Sequence, residues 1–139
     1  VNITRTKIAA TIGAAVLATL MLSGCAGGQS KADACKSMES QVSKASSDIQ
    51  AHASELASNP KEAASSIQKL ATTFDDATKK VTQPDVKKAA DKAAASLDDF
   101  AKQFNAYAAD PAKADTSKIS SSSTSLQSAF TALQKACTS

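Results

Sequence analysis

Val86-Lys87-Lys88-Ala89-Ala90-Asp91-Lys92-Ala93-Ala94-Ala95-Ser96-Leu97-Asp98-Asp99-Phe100-Ala101-Lys102-Gln103-Phe104-Asn105-Ala106-Tyr107 is the stretch that decides the fold. Val86, Ala90, Ala93, Leu97, Phe100, Phe104 and Tyr107 follow one another in alternating steps of four and three. That spacing lines them along one face of a helix and leaves lysines and aspartates on the other. A strand would need alternation at every second residue, and none is present.

The same rhythm continues on both sides. Upstream of Pro84 it runs Ala63, Ile67, Leu70, Phe74, Ala77, Val81. Before Pro60 it runs Cys35, Met38, Val42, Ala45, Ile49, His52, Leu56, and beyond Pro111 it runs Ile119, Ser123, Leu126, Phe130, Leu133, Cys137. The prolines therefore divide residues 31–139 into four helical segments. Asn59-Pro60-Lys61-Glu62 has helix-start chemistry: a capping residue, a proline at the first helical position and a glutamate three past the cap. Gln83-Pro84-Asp85 and Asp115-Thr116 read as further starts, and Asp110-Pro111 as the stop of the third helix. Short connections force neighbouring helices to run antiparallel. The fold class predicted is all-α, an antiparallel up-down-up-down four-helix bundle. Its rival is a three-helix bundle with a mobile C-terminal tail, because Ser120 to Ser125 is a poor helix former.

Ahead of the bundle, Arg5 and Lys7 precede an apolar run from Ile8 to Leu22, fifteen residues long. That length suits the core of a secretory leader better than a membrane-spanning helix of about twenty residues. The run ends in Leu22-Ser23-Gly24-Cys25, an aliphatic residue and two small ones before a cysteine, followed by Ala26-Gly27-Gly28-Gln29-Ser30. This tetrapeptide resembles the lipobox of bacterial lipoproteins. The resemblance implies a signal peptide over residues 1–24, cleavage between Gly24 and Cys25, and a diacylglyceryl group on Cys25, with palmitate-type acyl chains. It implies a lipidated cysteine and flexible tether over residues 25–30, and a location on the extracytoplasmic face of a bacterial membrane. Val1 fits a GTG start codon read literally.

Lipid on Cys25 leaves Cys35 and Cys137, an even pair in an oxidising compartment. An up-down-up-down order brings the start of the first helix beside the end of the fourth, so the two are expected to form a disulfide. That clasp also argues against the mobile-tail rival.

Removing the leader leaves 115 residues, enough for one modest domain, and lowers the net charge from +3 to about +1. Arg5 is the chain's one arginine, and the chain has one tyrosine and no tryptophan. Bidentate recognition of phosphate or guanine and base-stacking platforms are thereby missing, so no nucleic-acid partner is expected.

Catalytic and metal chemistry fares no better. Asp75-Asp76 and Asp98-Asp99 could be offered as carboxylate pairs, but adjacent residues on a helix diverge, and Lys79, Lys80 and Lys102 stand four residues on as ion-pair partners. His52 is the only histidine. Met38 lies about 21 Å from it along a helix, too far to share one haem iron. With Glu55 it offers two metal ligands, short of the paired Glu-x-x-His elements of di-iron bundles. A packing role near the bundle end, hydrogen-bonded to Tyr107, is expected instead. All four glycines lie at or before Gly28, so no glycine-rich elbow or oxyanion loop can form. The chain reads as neither enzyme nor metalloprotein, and no cofactor is expected.

Two functional classes remain. One is an anchored interaction or structural module of the cell envelope, held to the membrane through Cys25 and facing an envelope protein or the cell wall. The other is a small bundle that binds a hydrophobic ligand. In composition residues 31–139 resemble small, uncharacterised alanine- and lysine-rich lipoproteins. The likeness to the long murein lipoprotein of enteric bacteria is superficial, since its single unbroken helix would not tolerate Pro60, Pro84 and Pro111.

Overall fold

A computed structural model describes residues 28–55 and 58–139. The expected leader, lipobox and lipidated Cys25, together with Leu56, lie outside the described residues. Four helices follow one another: α1 Lys31–Ala53, α2 Pro60–Thr78, α3 Pro84–Ala109 and α4 Thr116–Thr138. They pack as a four-helix bundle around one apolar core, and no strand occurs among the described residues. The serine-rich segment is helical throughout, so the mobile-tail alternative does not hold.

Helix α3 lies most extensively against α2 and α4, while α1 rests mainly on α2 and more lightly on α4 and α3. Three contacts bring helix ends together. Gln29, just before α1, meets Thr82, just after α2. Asn105 near the end of α3 donates to the Gln68 side chain in the first half of α2 at 3.0 Å. Cys35 near the start of α1 meets Cys137 near the end of α4.

Each start is fixed by local chemistry, though one differs from expectation. Ser30 caps α1 by accepting from the Asp33 amide, and its hydroxyl donates to the Asp33 carboxylate at 2.7 Å. Gln83 Oε1 accepts from the Val86 amide at 2.7 Å, and Asp115 Oδ1 accepts from the Ser117 amide at 3.0 Å. The Asn59 side chain makes no capping bond. Pro60 explains why α2 starts there regardless: its ring presets the helical φ and removes one amide that would need a partner.

The core confirms most of the stripe and widens it. Met38, Ile67, Phe74, Val86, Leu97 and Leu133 are fully buried or nearly so. Beside the expected row, α2 buries Ala64, Ala71 and Thr78, and α3 buries Ala94, Ala101 and Ala108. These small residues recur every seven positions and let the two helix backbones approach closely. Thr78 is buried because its hydroxyl donates to the Asp75 carbonyl at 2.8 Å. In α4 the inward face is turned slightly from the expected one: Ser122 and Ala129 are buried, while Ser123 and Phe130 are only half-buried. The Ser122 hydroxyl is satisfied by the Ile119 carbonyl at 3.0 Å.

Candidate functional site

Two places in the bundle have more than a packing role to explain. The first is the end where the tether arrives. The Gln29 amide donates to Thr82 Oγ1 at 2.9 Å, and the Thr82 amide donates back to Gln29 Oε1 at 3.4 Å. These bonds tie the segment before α1 to the α2–α3 connection. At the same end Cys35 and Cys137 form a disulfide with a Cα–Cα distance of 5.5 Å, within the usual range. Cys35 is buried and Cys137 half-buried. The expected pairing is thus present, whereas Cys25 and Gly24, expected as the lipidation and cleavage residues, fall outside the described part.

The second place is an open groove between the last turns of α3 and the first turns of α4, with a volume of about 750 Å³. Phe100, Phe104, Tyr107 and Ile119 supply its apolar floor, and Ser120, Ser123, Thr124 and Gln127 its rim. The rings of Phe104 and Tyr107 lie 6.2 Å apart and tilted, so the floor is a continuous aromatic strip. None of the described residues lining it is charged. By contrast, the groove between α2 and α3 is lined by Asp75, Asp76, Lys79, Asp91 and Asp98.

The remaining candidates resolve into surface pairs. Lys79 bridges Asp75 at 2.7 Å and Asp76 at 3.2 Å, which replaces the expected Asp76–Lys80 pair. One lysine serves both carboxylates because Asp76 is also within reach at three residues' spacing. The hydrogen bonds that the Lys79 ammonium donates to Asp75 and then to Asp76 hold it above its usual pKa. Lys102 pairs with Asp98 at 2.6 Å, as expected, and its pKa is raised for the same reason. Asp115 is held below the usual carboxylate value, first by the Ser117 hydroxyl.

His52 does not reach Tyr107. Its Nδ1 lies 3.0 Å from Glu55 Oε2, and the ring is partly exposed rather than part of the core. The reason is local: Glu55 sits in the turn just past α1, one helical step from the imidazole. Among the described residues no three histidine, cysteine or acidic side chains converge as metal ligands, and no helix is long and apolar enough to cross a membrane.

The groove was not anticipated as a site. Phe100, Phe104, Tyr107 and Ile119 all stand on the expected inward stripes, which by themselves read as core. Their inward position holds for Phe100 and Phe104, which are buried, while Tyr107 and Ile119 are half-buried and border the groove. No family model matches the chain, and no curated protein or solved structure is measurably similar to it.

Proposed function

We propose that the chain is a bacterial lipoprotein, cleaved between Gly24 and Cys25 and acylated on Cys25, whose bundle serves as an interaction or structural module of the cell envelope. The observation that carries this reading is the disulfide at the tether end. A Cys35–Cys137 bridge persists in an oxidising compartment, outside the cytosol. It also joins the two helices that flank the anchor, so load passed through the tether is shared by α1 and α4.

Gln29 stands four positions after Cys25, a reach of at most ~14 Å. An acylated Cys25 therefore holds the disulfide end close to the bilayer, and the bundle projects its other end by about 39 Å, the length of the 26-residue α3. The charged faces of α2 and α3 keep that projection soluble and offer little to nucleic acid, since lysine is their only cation.

Metabolic labelling with an alkynyl palmitate analogue tests the anchor. Wild-type chain should carry the label in the membrane fraction, and Cys25→Ser should carry none and accumulate unprocessed. Label that survives on Cys25→Ser would refute the reading. Crosslinking from lysines of the projecting end, in whole cells, then identifies the envelope partner.

A further inference from the structure

We infer that the Cys35–Cys137 bridge is an exchangeable bond in the folded chain, and that a dithiol reductant attacks it at Cys137 Sγ. The two sulfurs are not equally placed. Cys35 is 6 % exposed and belongs to the core, whereas Cys137 is only half-buried. Cys137 also lines an open groove of about 470 Å³ between α1 and α4, together with Glu39, Val42, Ser43, Leu133 and Gln134. Cys35 is not part of that lining. A thiolate displaces a disulfide along the axis of the bond, so access to one sulfur selects which cysteine is captured and which departs. The helix ends favour the same order. Cys35 stands in the second turn of α1, toward the amino end, whose partial positive charge favours a departing thiolate. Cys137 stands in the last turn of α4, whose partial negative charge does not.

The exchange balances in two steps. One thiolate of the dithiol bonds to Cys137 Sγ while the bridge breaks, and Cys35 leaves with the electron pair and takes up a proton. The reductant's second thiol, once deprotonated, attacks its own sulfur in the mixed disulfide and expels Cys137. The dithiol ends as a disulfide, and the two electrons and two protons it gives up leave both cysteines as thiols. The consequence is local. Helix α4 lies chiefly against α3 and touches α1 lightly, so the bridge is what fastens the α1–α4 seam. Its opening frees the two sides of the groove, Val42 on α1 and Leu133 on α4, to part. None of these steps involves Cys25, so the exchange stands or falls independently of a lipid anchor.

The full chain, purified in mild detergent, is first treated with N-ethylmaleimide to block every thiol that is already free. Dithiothreitol is then added without and with urea, and loss of the bridge is followed by alkylation and mass spectrometry. The native rate is expected to rise in proportion to dithiothreitol. It should lie less than ~10³-fold below the urea-unfolded rate, since ~10³ is the smallest factor that global unfolding imposes. A larger deficit, or a native rate that stops rising, would show that the bond opens only on unfolding and would overturn the proposal. A short pulse of glutathione, with iodoacetamide present to trap the departing thiol, should leave glutathione on Cys137 and the alkyl group on Cys35. The reverse pattern, both in equal amounts, or no glutathione on either cysteine would overturn the assignment of the attacked sulfur. Glu39→Lys replaces an exposed carboxylate of the groove wall that makes no ion pair among the described residues. At low salt it should speed native reduction severalfold relative to the urea-unfolded rate of the same variant, because the attacking thiolate no longer approaches a negative charge. An unchanged ratio would place the attack outside the groove, and the proposal would fall.

Discussion

Helix α2 buries Ile67, Leu70 and Phe74 together with a second row of Ala64, Ala71 and Thr78, and α3 answers with Leu97, Phe100 and Phe104 beside Ala94, Ala101 and Ala108. Helix α4, longer than α2 and slightly shorter than α3, buries only Ser122, Leu126, Ala129 and Leu133. Its outer surface differs too: residues 119–134 contain no charged side chain, whereas α2 and α3 alternate lysine with aspartate. The α2–α3 pair is held by two rows of contacts, and a half-buried Gln68–Asn105 bond spans it. Helix α4 has one row and a covalent bond at its far end. A helix poor in apolar side chains can remain in a bundle when a disulfide removes much of the entropy its release would gain. Ile119, Phe130 and Cys137 of α4 pack against the core without being fully buried.

Four tests put this contrast under strain. Phe74→Ala should cost the most, about 3–5 kcal/mol in urea unfolding, because the ring is 1 % exposed and touches Phe130 across the core at a centroid distance of 5.6 Å. Phe130→Ala removes the same ring from a half-buried place and should cost only about 1–2 kcal/mol. Equal losses would mean that α4 is packed as deeply as α2.

Opening the disulfide should come next. It closes a loop across a sequence separation of 102 residues, and its removal by Cys35→Ser with Cys137→Ser is expected to cost roughly 2–4 kcal/mol. Limited proteolysis of the reduced chain should cut within α4 before any other helix. First cuts within α2 or α3 would reverse the ranking of the two regions.

Ala101→Leu forces a larger side chain into the close α2–α3 contact and should destabilise by about 1–3 kcal/mol. Ala132→Leu, on the exposed side of α4, should change stability by less than about 0.5 kcal/mol. A large loss at Ala132 would point to a neighbour over that face.

Lys79→Ala should have the smallest effect, a thermal midpoint unchanged within error at neutral pH, because both ion pairs are exposed. Its raised pKa fixes the sign of the pH dependence. Whatever stability the pairs add is complete below the ordinary lysine pKa of 10.5 and is lost as pH rises through the higher folded value. A midpoint that falls between pH 6 and 8 specifically because of Lys79 would contradict this.

The number of helices and their ends follow from local signals. Proline at 60, 84 and 111 forbids a continuous helix, and the apolar spacing identifies an inward side wherever large residues contrast with charged ones. Cysteine positions added the neighbour relation of α1 and α4. The second rows on α2 and α3 were not legible, because alanine occurs on every side of these helices and marks no face. The phase of α4 was equally obscure: Ser120 to Ser125 present no hydropathy contrast, so nothing local distinguishes Ser122 from Ser123.

The sequence by itself determined an all-α chain of four segments and a cysteine pair placed to meet, since each depends on nearest neighbours, periodicity or parity. Only the tertiary structure decided which alanines are core, which way α4 turns and where a groove runs beside Tyr107. Those outcomes depend on how closely two backbones can approach. That distance is set by the small side chains of both helices together, and neither helix encodes it alone.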